Sequence, residues 1–351
     1  MSKRVLLFNG YACGGAERMT ILYAKILQKA GFECKMFVHV KPGTEANIIE
    51  FIPENIEWVF IKSRYRYLFF HILNILKKEK CDIVFCSMPG FVKFVVWARY
   101  LLNLKLRLIV RCFNMPSKMS KQSKDGAKWF RYVDEIISQT DEMREELINL
   151  FKISREKIKT INNPIDKELI NERVKESFDF DKDYINYVAV GRIAPQKDYI
   201  TMIKAIAKAR KTKNNIRLYI IGGVEDDNYY STLQSLILNL NISDSIFFEG
   251  FQNNPFKYMK SADALLLSSK FEGLPNVLLE AMYLEKPVVS TRCIPFVQQI
   301  IEEGVNGYSV EVEDCDDFAK AMLDVRKLSL VKNTMKRNKT ENDIIKLFDE
   351  L

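Results

Sequence analysis

At 351 residues the chain is long enough for two ordinary domains with full cores. Its composition, 48% hydrophobic and 28% charged, is that of a globular protein and excludes a disordered one. The net charge of +8 is unevenly spread: residues 1–163 carry 28 Lys and Arg against 16 Asp and Glu, a net of +12, whereas residues 164–351 carry 25 against 29, a net of −4, so the first half is built to face something anionic.

Nothing after the opening MSKRVLLFNG reads as a signal peptide. The most apolar region, residues 91–104, is interrupted by Lys93 and Arg99, well short of the run of about 18 apolar residues that a membrane span needs. Seven cysteines, an odd number without CxxC pairing, point to a reducing compartment and free core thiols. With His39 and His71 as the only histidines, no zinc cluster is expected.

Residues 4–9 (RVLLFN) read as a buried first strand and 16–30 as the helix after it, with Met19, Leu22, Tyr23, Ile26 and Leu27 at helical spacing. Between them Gly14 and Gly15 make either a structural turn or a ligand cradle, although the pair is not a GxGxxG fingerprint. Strand-like runs follow at 34–40, 58–62, 82–86, 106–112, 135–139 and 158–161, with helical stretches between most of them. That alternation predicts an α/β domain with a parallel sheet covered on both faces. Two segments, 64–80 and 118–131, interleave basic and aromatic residues, and each is either a crossover helix with a solvated face or a surface for an anionic bilayer. With the charge asymmetry, membrane contact is the expectation; no nucleic-acid module is present and the second half is acidic, so no nucleic acid is expected as partner. Arg111 and Asn114 fall at the carboxyl end of the 106–112 strand, where ligands bind in open α/β sheets. Asn162-Asn163-Pro164-Ile165-Asp166 fits a domain boundary.

The second domain opens with a buried strand at 184–191, then GRIAPQK, in which Arg192 and Lys197 flank one turn before a helix over 198–211. Gly191, the two cations and a helix N-terminus converge on a place suited to a diphosphate. Strands at 216–221 and 246–249 end in Gly222-Gly223 and Gly250-Phe251, consistent with close backbone approach to a ligand in one crevice. Asp181 and Asp183, and Asp314 and Asp316, are read as caps or surface residues. The apolar strand 264–267 leads into SSKFEGLPNVLLEAM, a loop with Glu272, Gly273 and Leu274 followed by a helix with Pro275 near its first position. The N–H groups of Asn276 and Val277 are expected to face an anion there, while Glu272 and Glu280 are either a solvated loop Glu and a surface helix Glu or acceptors of hydrogen bonds from sugar hydroxyls.

Glu272 and Glu280, with seven residues between them in EGLPNVLLEAM, resemble the E-x7-E signature of the retaining glycosyltransferase family 4. VGRIAPQKDY is similar to that family's GR-x4-K motif, GGAER to its first glycine loop, and residues 162–166 to its hinge segment. The resemblance implies the GT-B fold: two Rossmann-like, doubly wound parallel-sheet domains facing each other across a cleft. Residues 1–163 with a closing helix near 338–351 would bind the acceptor, and 164–337 the nucleotide-sugar.

By the same resemblance Glu272 holds donor-sugar hydroxyls, Glu280 the ribose, Arg192 and Lys197 the departing diphosphate without metal or other cofactor, and the backbone around Phe251 the base. Gly14 and Gly15 reach the donor from the first domain. Asn114 stands near the transferred sugar, but with no His there no general base is assigned. The segment after the strand 287–291 departs from the family, with Arg292-Cys293 and Gln298-Gln299 where glycine and Glu are common. The implied activity is transfer of a hexose or N-acetylhexosamine from a nucleotide-sugar, UDP-linked by expectation, to a lipid-linked or polysaccharide acceptor, by a cytoplasmic protein peripheral to the inner face of the cell membrane. The alternatives are a nucleotide-sugar epimerase or phosphorylase of similar fold and a non-catalytic sugar-nucleotide-binding scaffold.

Overall fold

The computed structural model describes residues 2–12, 14–43, 47–328 and 340–350. The chain divides into two compact units, Met1–Pro164 with Asn338–Leu351, and Ile165–Arg337.

The first unit is a seven-stranded sheet of β1 (Arg4–Gly10), β2 (Glu33–Val40), β3 (Glu57–Lys62), β4 (Ile83–Cys86), β5 (Arg107–Arg111), β6 (Glu135–Ser138) and β7 (Ile158–Thr160). All neighbours run parallel in the order β3-β2-β1-β4-β5-β6-β7. Successive residues of a strand face opposite sides, so Leu108 and Val110 enter one core and Ile109 the other. The helices Leu68–Lys78, Pro89–Leu101 and Asp141–Phe151 cover the first of these faces, and Gly15–Lys29 with Thr340–Asp349 the second. Residues 338, 339 and 351 of the expected closing helix lie outside the described residues, but Ile344, Leu347 and Phe348 are buried against Tyr23 and Phe85 of the first unit.

The second unit is a six-stranded parallel sheet of β8 (Ile185–Val190), β9 (Ile216–Ile221), β10 (Ile246–Gly250), β11 (Ala264–Leu267), β12 (Val288–Thr291) and β13 (Gly307–Val310), ordered β10-β9-β8-β11-β12-β13. Helices Tyr199–Arg210 and Cys315–Val325 pack one face, and Asn276–Tyr283 the other. Strand β13 was not expected: it is four residues long and opens on a glycine. Gly307 is needed there because a Cβ would stand 2.2 Å from the Val288 carbonyl across the ladder.

Residues 118–131 do not form one continuous stretch of helix. They break into a 3₁₀ turn, Pro116–Lys118, a short helix Lys121–Ala127 capped by Ser120, and a second 3₁₀ turn, Lys128–Tyr132. Gly126 lets the short helix lie close to its neighbour, since a Cβ there would stand 2.7 Å from the Pro89 carbonyl. Asp314 caps the helix Cys315–Val325, as its spacing suggests.

Candidate functional site

The carboxyl ends of β8, β9 and β11 bring the second unit's candidate residues together. Two loops meet where β8 and β9 end: a Cβ on Gly222 would stand 2.0 Å from the Gly191 carbonyl, and one on Gly191 would stand 3.0 Å from Lys197 Cε. Backbone bonds from Ile193 N–H to the Gly223 carbonyl (2.9 Å) and from Glu225 N–H to the Ile193 carbonyl (3.2 Å) stitch them into one platform. The Tyr199 hydroxyl donates to the Gly191 carbonyl at 2.8 Å from beneath. After the turn Pro195–Lys197, Asp198 sits at φ +47 and turns the chain into its helix.

Lys197 Nζ lies 2.7 Å from Glu272 Oε1, and both side chains are largely buried. Glu272 is further tied by Ser269, whose hydroxyl donates to Oε1 at 2.7 Å. Gln196 holds the loop from the other side, its Nε2 donating to the Phe271 carbonyl (2.9 Å) and its own carbonyl accepting from Lys270 N–H (2.9 Å). The Thr291 hydroxyl donates to the Ser269 carbonyl at 2.6 Å. A carboxylate this enclosed keeps one fixed orientation, which is what recognition of a hydroxyl requires. Cys293 stands close by: burial first, and the Glu272 charge second, push its thiol up to about 12. Ser269, Gln196 and Thr291 were not singled out in the sequence, where the Ser268-Ser269 pair just ahead of Glu272 was the one available signal; Cys293 was marked only as part of the departure from the family.

Arg192 departs from the expected convergence. Its side chain is 61% exposed, and its guanidinium pairs with Glu225 on the loop after β9, not with the Lys197–Glu272 pair. Pro275 is the residue before the helix Asn276–Tyr283 instead of its first member, and the Asn276 N–H is taken by the Leu274 carbonyl at 2.9 Å, so it does not face a ligand as expected. Glu280 lies on the helix one turn in and is half-buried. Gly273 and Leu274 are buried in the connecting loop, and Phe251 is exposed beside Gly223, past Gly250 at φ +67. The unexpected Arg292 turns away from this loop, its Nη2 donating to the Ser309 carbonyl (3.0 Å) and its Nη1 pairing with Glu311 (2.5 Å). Among the described residues no group of three His, Cys, Asp or Glu is arranged to hold a metal ion.

The family description "Glycosyl transferases group 1" fits residues 170–342, and "Glycosyltransferase Family 4" fits residues 13–169. The chain belongs to glycosyltransferase family 4. Over nearly the whole length of both proteins, 99% of this chain and 97% of the other, it is 27% identical to the Campylobacter jejuni N-acetylgalactosamine-N,N'-diacetylbacillosaminyl-diphospho-undecaprenol 4-alpha-N-acetylgalactosaminyltransferase. An uncharacterized glycosyltransferase of Methanocaldococcus jannaschii is 31% identical over 212 residues, 57% of this chain and about half (48%) of that protein. Among solved structures, an Anabaena protein crystallised with UDP and glucose covers 100% of both chains with a TM-score of 0.83 at 15% identity, a likeness of fold. The glycosyltransferase thus has the GT-B fold.

In the first unit of this glycosyltransferase, Gly14 precedes the helix Gly15–Lys29 and has a different neighbour from the glycines of the second. The buried Glu17 folds back over the loop, its Oε2 2.7 Å from where a Gly14 Cβ would be and its Oε1 3.2 Å from that of Gly10. Asn114 is half-buried and its Oδ1 accepts from Met115 N–H at 2.9 Å. Arg111 turns into the core, with Nη2 donating to Asn163 Oδ1 at 2.6 Å; among the described residues neither Nε nor Nη1 meets a hydrogen-bond partner. Burial lowers the Arg111 pKa and raises Tyr23, beside it, to about 12.

The two basic-aromatic segments meet on one surface. Phe69 contacts Trp97 (6.0 Å between centroids), Trp97 contacts Trp129 (5.5 Å) and Trp129 contacts Tyr132 (5.5 Å), while Tyr100 (86% exposed), Phe70 and Leu101 (63% each) project outward. Lys93 lies over the Phe94 ring and Arg66 over Tyr67, each at 4.8 Å. No helix among the described residues is long and apolar enough to cross a membrane.

Proposed function

We propose that this glycosyltransferase moves a hexose or N-acetylhexosamine from a UDP-sugar to a lipid-linked or polysaccharide acceptor, with retention at the anomeric carbon. The observation that carries the reading is the enclosed Lys197–Glu272 pair, a cation and a hydroxyl acceptor held 2.7 Å apart beside the platform where the backbones of Gly191 and Gly222 close on each other. The relative named for an undecaprenol-diphosphate-linked glycan, and the Anabaena neighbour solved with UDP, support the acceptor and donor classes.

In this reading Lys197 and Arg192 stabilise the diphosphate as its charge grows, which is electrostatic work that needs no metal. Glu272 accepts from the donor sugar's hydroxyls and Glu280 from the ribose, with Gly273, Leu274, Pro275 and Asn276 shaping the loop and the backbone at Phe251 facing the base. The bond from the anomeric carbon to the phosphate oxygen breaks as the acceptor oxygen bonds on the same face, and the acceptor's proton passes to the departing phosphate. Asn114 would orient the acceptor side. The basic, aromatic surface around Tyr100 and Phe70 lies on an anionic bilayer, the source of a lipid-linked acceptor.

Release of UDP from a UDP-sugar, measured with and without a polyprenyl-diphosphate glycan, tests the reading. Turnover should depend on acceptor and fall by about 10²–10³ in folded Arg192→Ala and Glu272→Ala variants. A UDP-sugar that binds and is never transferred would establish the scaffold alternative instead.

A further inference from the structure

Both cations of the proposed diphosphate site are matched by carboxylates, and only one of those carboxylates belongs to the motifs read from the sequence. Lys197 pairs with Glu272, whereas Arg192 pairs with Glu225, a residue no motif marks. Counted together, two positive and two negative side chains make a set of no net charge, a poor receptor for a diphosphate.

The Arg192–Glu225 pair is held by the backbone and is not a chance meeting of long side chains. Ile193 and Val224 form a β-bridge, Glu225 N–H donates to the Ile193 carbonyl at 3.2 Å, and the platform beneath is closed by the contact of Gly222 with Gly191. The loop does not need the Glu225 carboxylate for its own shape. Asp226, the next residue, caps the helix Asp227–Asn239 by accepting from Tyr229 N–H at 2.9 Å. Beyond Arg192, no partner of the Glu225 carboxylate is seen among the described residues.

We propose that Glu225 is a positioning residue that competes with the donor's diphosphate for Arg192 and so lowers the affinity for nucleotide. It keeps the guanidinium oriented beside Gly191 and surrenders it to phosphate when the nucleotide arrives. Because the pair is exposed to solvent, its strength lies in the range of surface ion pairs, small enough for phosphate to displace it. The inference rests on the diphosphate reading of Arg192 given above.

The test is calorimetric titration of the full-length protein with UDP and, separately, inorganic diphosphate. Glu225→Gln should tighten both by about twofold to fivefold, the range an exposed ion pair allows. The gain should vanish in an Arg192→Gln background and shrink as salt is added, whereas Glu225→Asp should stay near wild type. A loss of fold would lower the melting temperature and would not tighten binding. If folded Glu225→Gln binds equally or more weakly, the competition does not exist and the proposal fails. If Arg192→Gln alone leaves UDP and diphosphate binding unchanged, the diphosphate reading of Arg192 fails, and this proposal with it.

Discussion

In the loop after β9, a Cβ on Gly222 would press 2.0 Å against the Gly191 carbonyl, whereas in the loop after β1 a Cβ on Gly14 would meet only the tip of the Glu17 side chain, at 2.7 Å. The two units share a parallel doubly wound plan, yet the second uses glycine to bring backbones together and the first to make room for a side chain. Their charges differ in the same sense. The second unit, net acidic, brings Lys197 and Arg192, the proposed diphosphate cations, to the carboxyl end of its sheet, and the first, net basic, spreads Lys and Arg around an aromatic surface. Net charge therefore marks the half proposed to face an anionic surface and says nothing about the proposed diphosphate site, which joins the enclosed Lys197–Glu272 pair to the exposed Arg192.

The sharpest way to break this contrast is to add one methyl group to each loop. Gly222→Ala has nowhere to go without moving backbone, and a loss of about 3 kcal/mol is expected. Gly14→Ala asks only a flexible carboxylate to shift, and its cost should be about 1 kcal/mol or less. Melting temperatures of the two variants decide it, and equal losses would dissolve the distinction.

Next in size is the first unit's surface. Replacing Phe70 and Tyr100 together by Ser removes two outward rings that support no core. It should reduce binding to vesicles rich in phosphatidylglycerol about tenfold while leaving UDP affinity unchanged. Equal sedimentation of variant and wild type, or no preference over phosphatidylcholine vesicles, would remove the membrane from the account.

The smallest effect concerns pH. Burial lowers the His39 pKa, against the opposing bond from its Nε2–H to the Ser63 carbonyl (2.9 Å), and the charge of His71 adds to the lowering. The folded protein thus holds this proton less tightly than the unfolded chain, so stability should fall as pH drops through and below the ordinary imidazole range near 6.5. His39→Gln should flatten that part of a stability-against-pH curve, measured by denaturant unfolding between pH 7.5 and 5.

Much of this was readable in the residues. Alternating apolar runs announced both sheets, because a strand buried on two faces leaves a continuous hydrophobic signature. Gly191, Arg192, Lys197, Glu272 and Glu280 were read as one locality; Lys197 does meet Glu272, at 2.7 Å, whereas Arg192 turns to Glu225. Strand β13 was hidden because GYSV is short, starts with glycine and takes its strand character from pairing with β12. Glu225 was hidden for a different reason: an acid in a polar loop looks like solvent-facing charge until a β-bridge sets it opposite Arg192. Arg111, legible as a site residue by position, turned out to face Asn163 in the core, since side-chain direction at a strand end depends on which face the last residue takes. That the two aromatic segments form one surface is a tertiary fact, dependent on Gly126 letting the second approach the helix that carries Trp97.

The helix Thr340–Asp349 gives Ile344, Leu347 and Phe348 to the core beneath β1, β4 and β5, and its Leu347 carbonyl accepts from Arg107 at 2.9 Å. On a translating ribosome, the first 164 residues therefore emerge with one side of their sheet covered only in part, by the helix Gly15–Lys29. They must wait, with Tyr23 and Phe85 short of their aromatic neighbour, until the second unit has been made and the last turn of chain comes home.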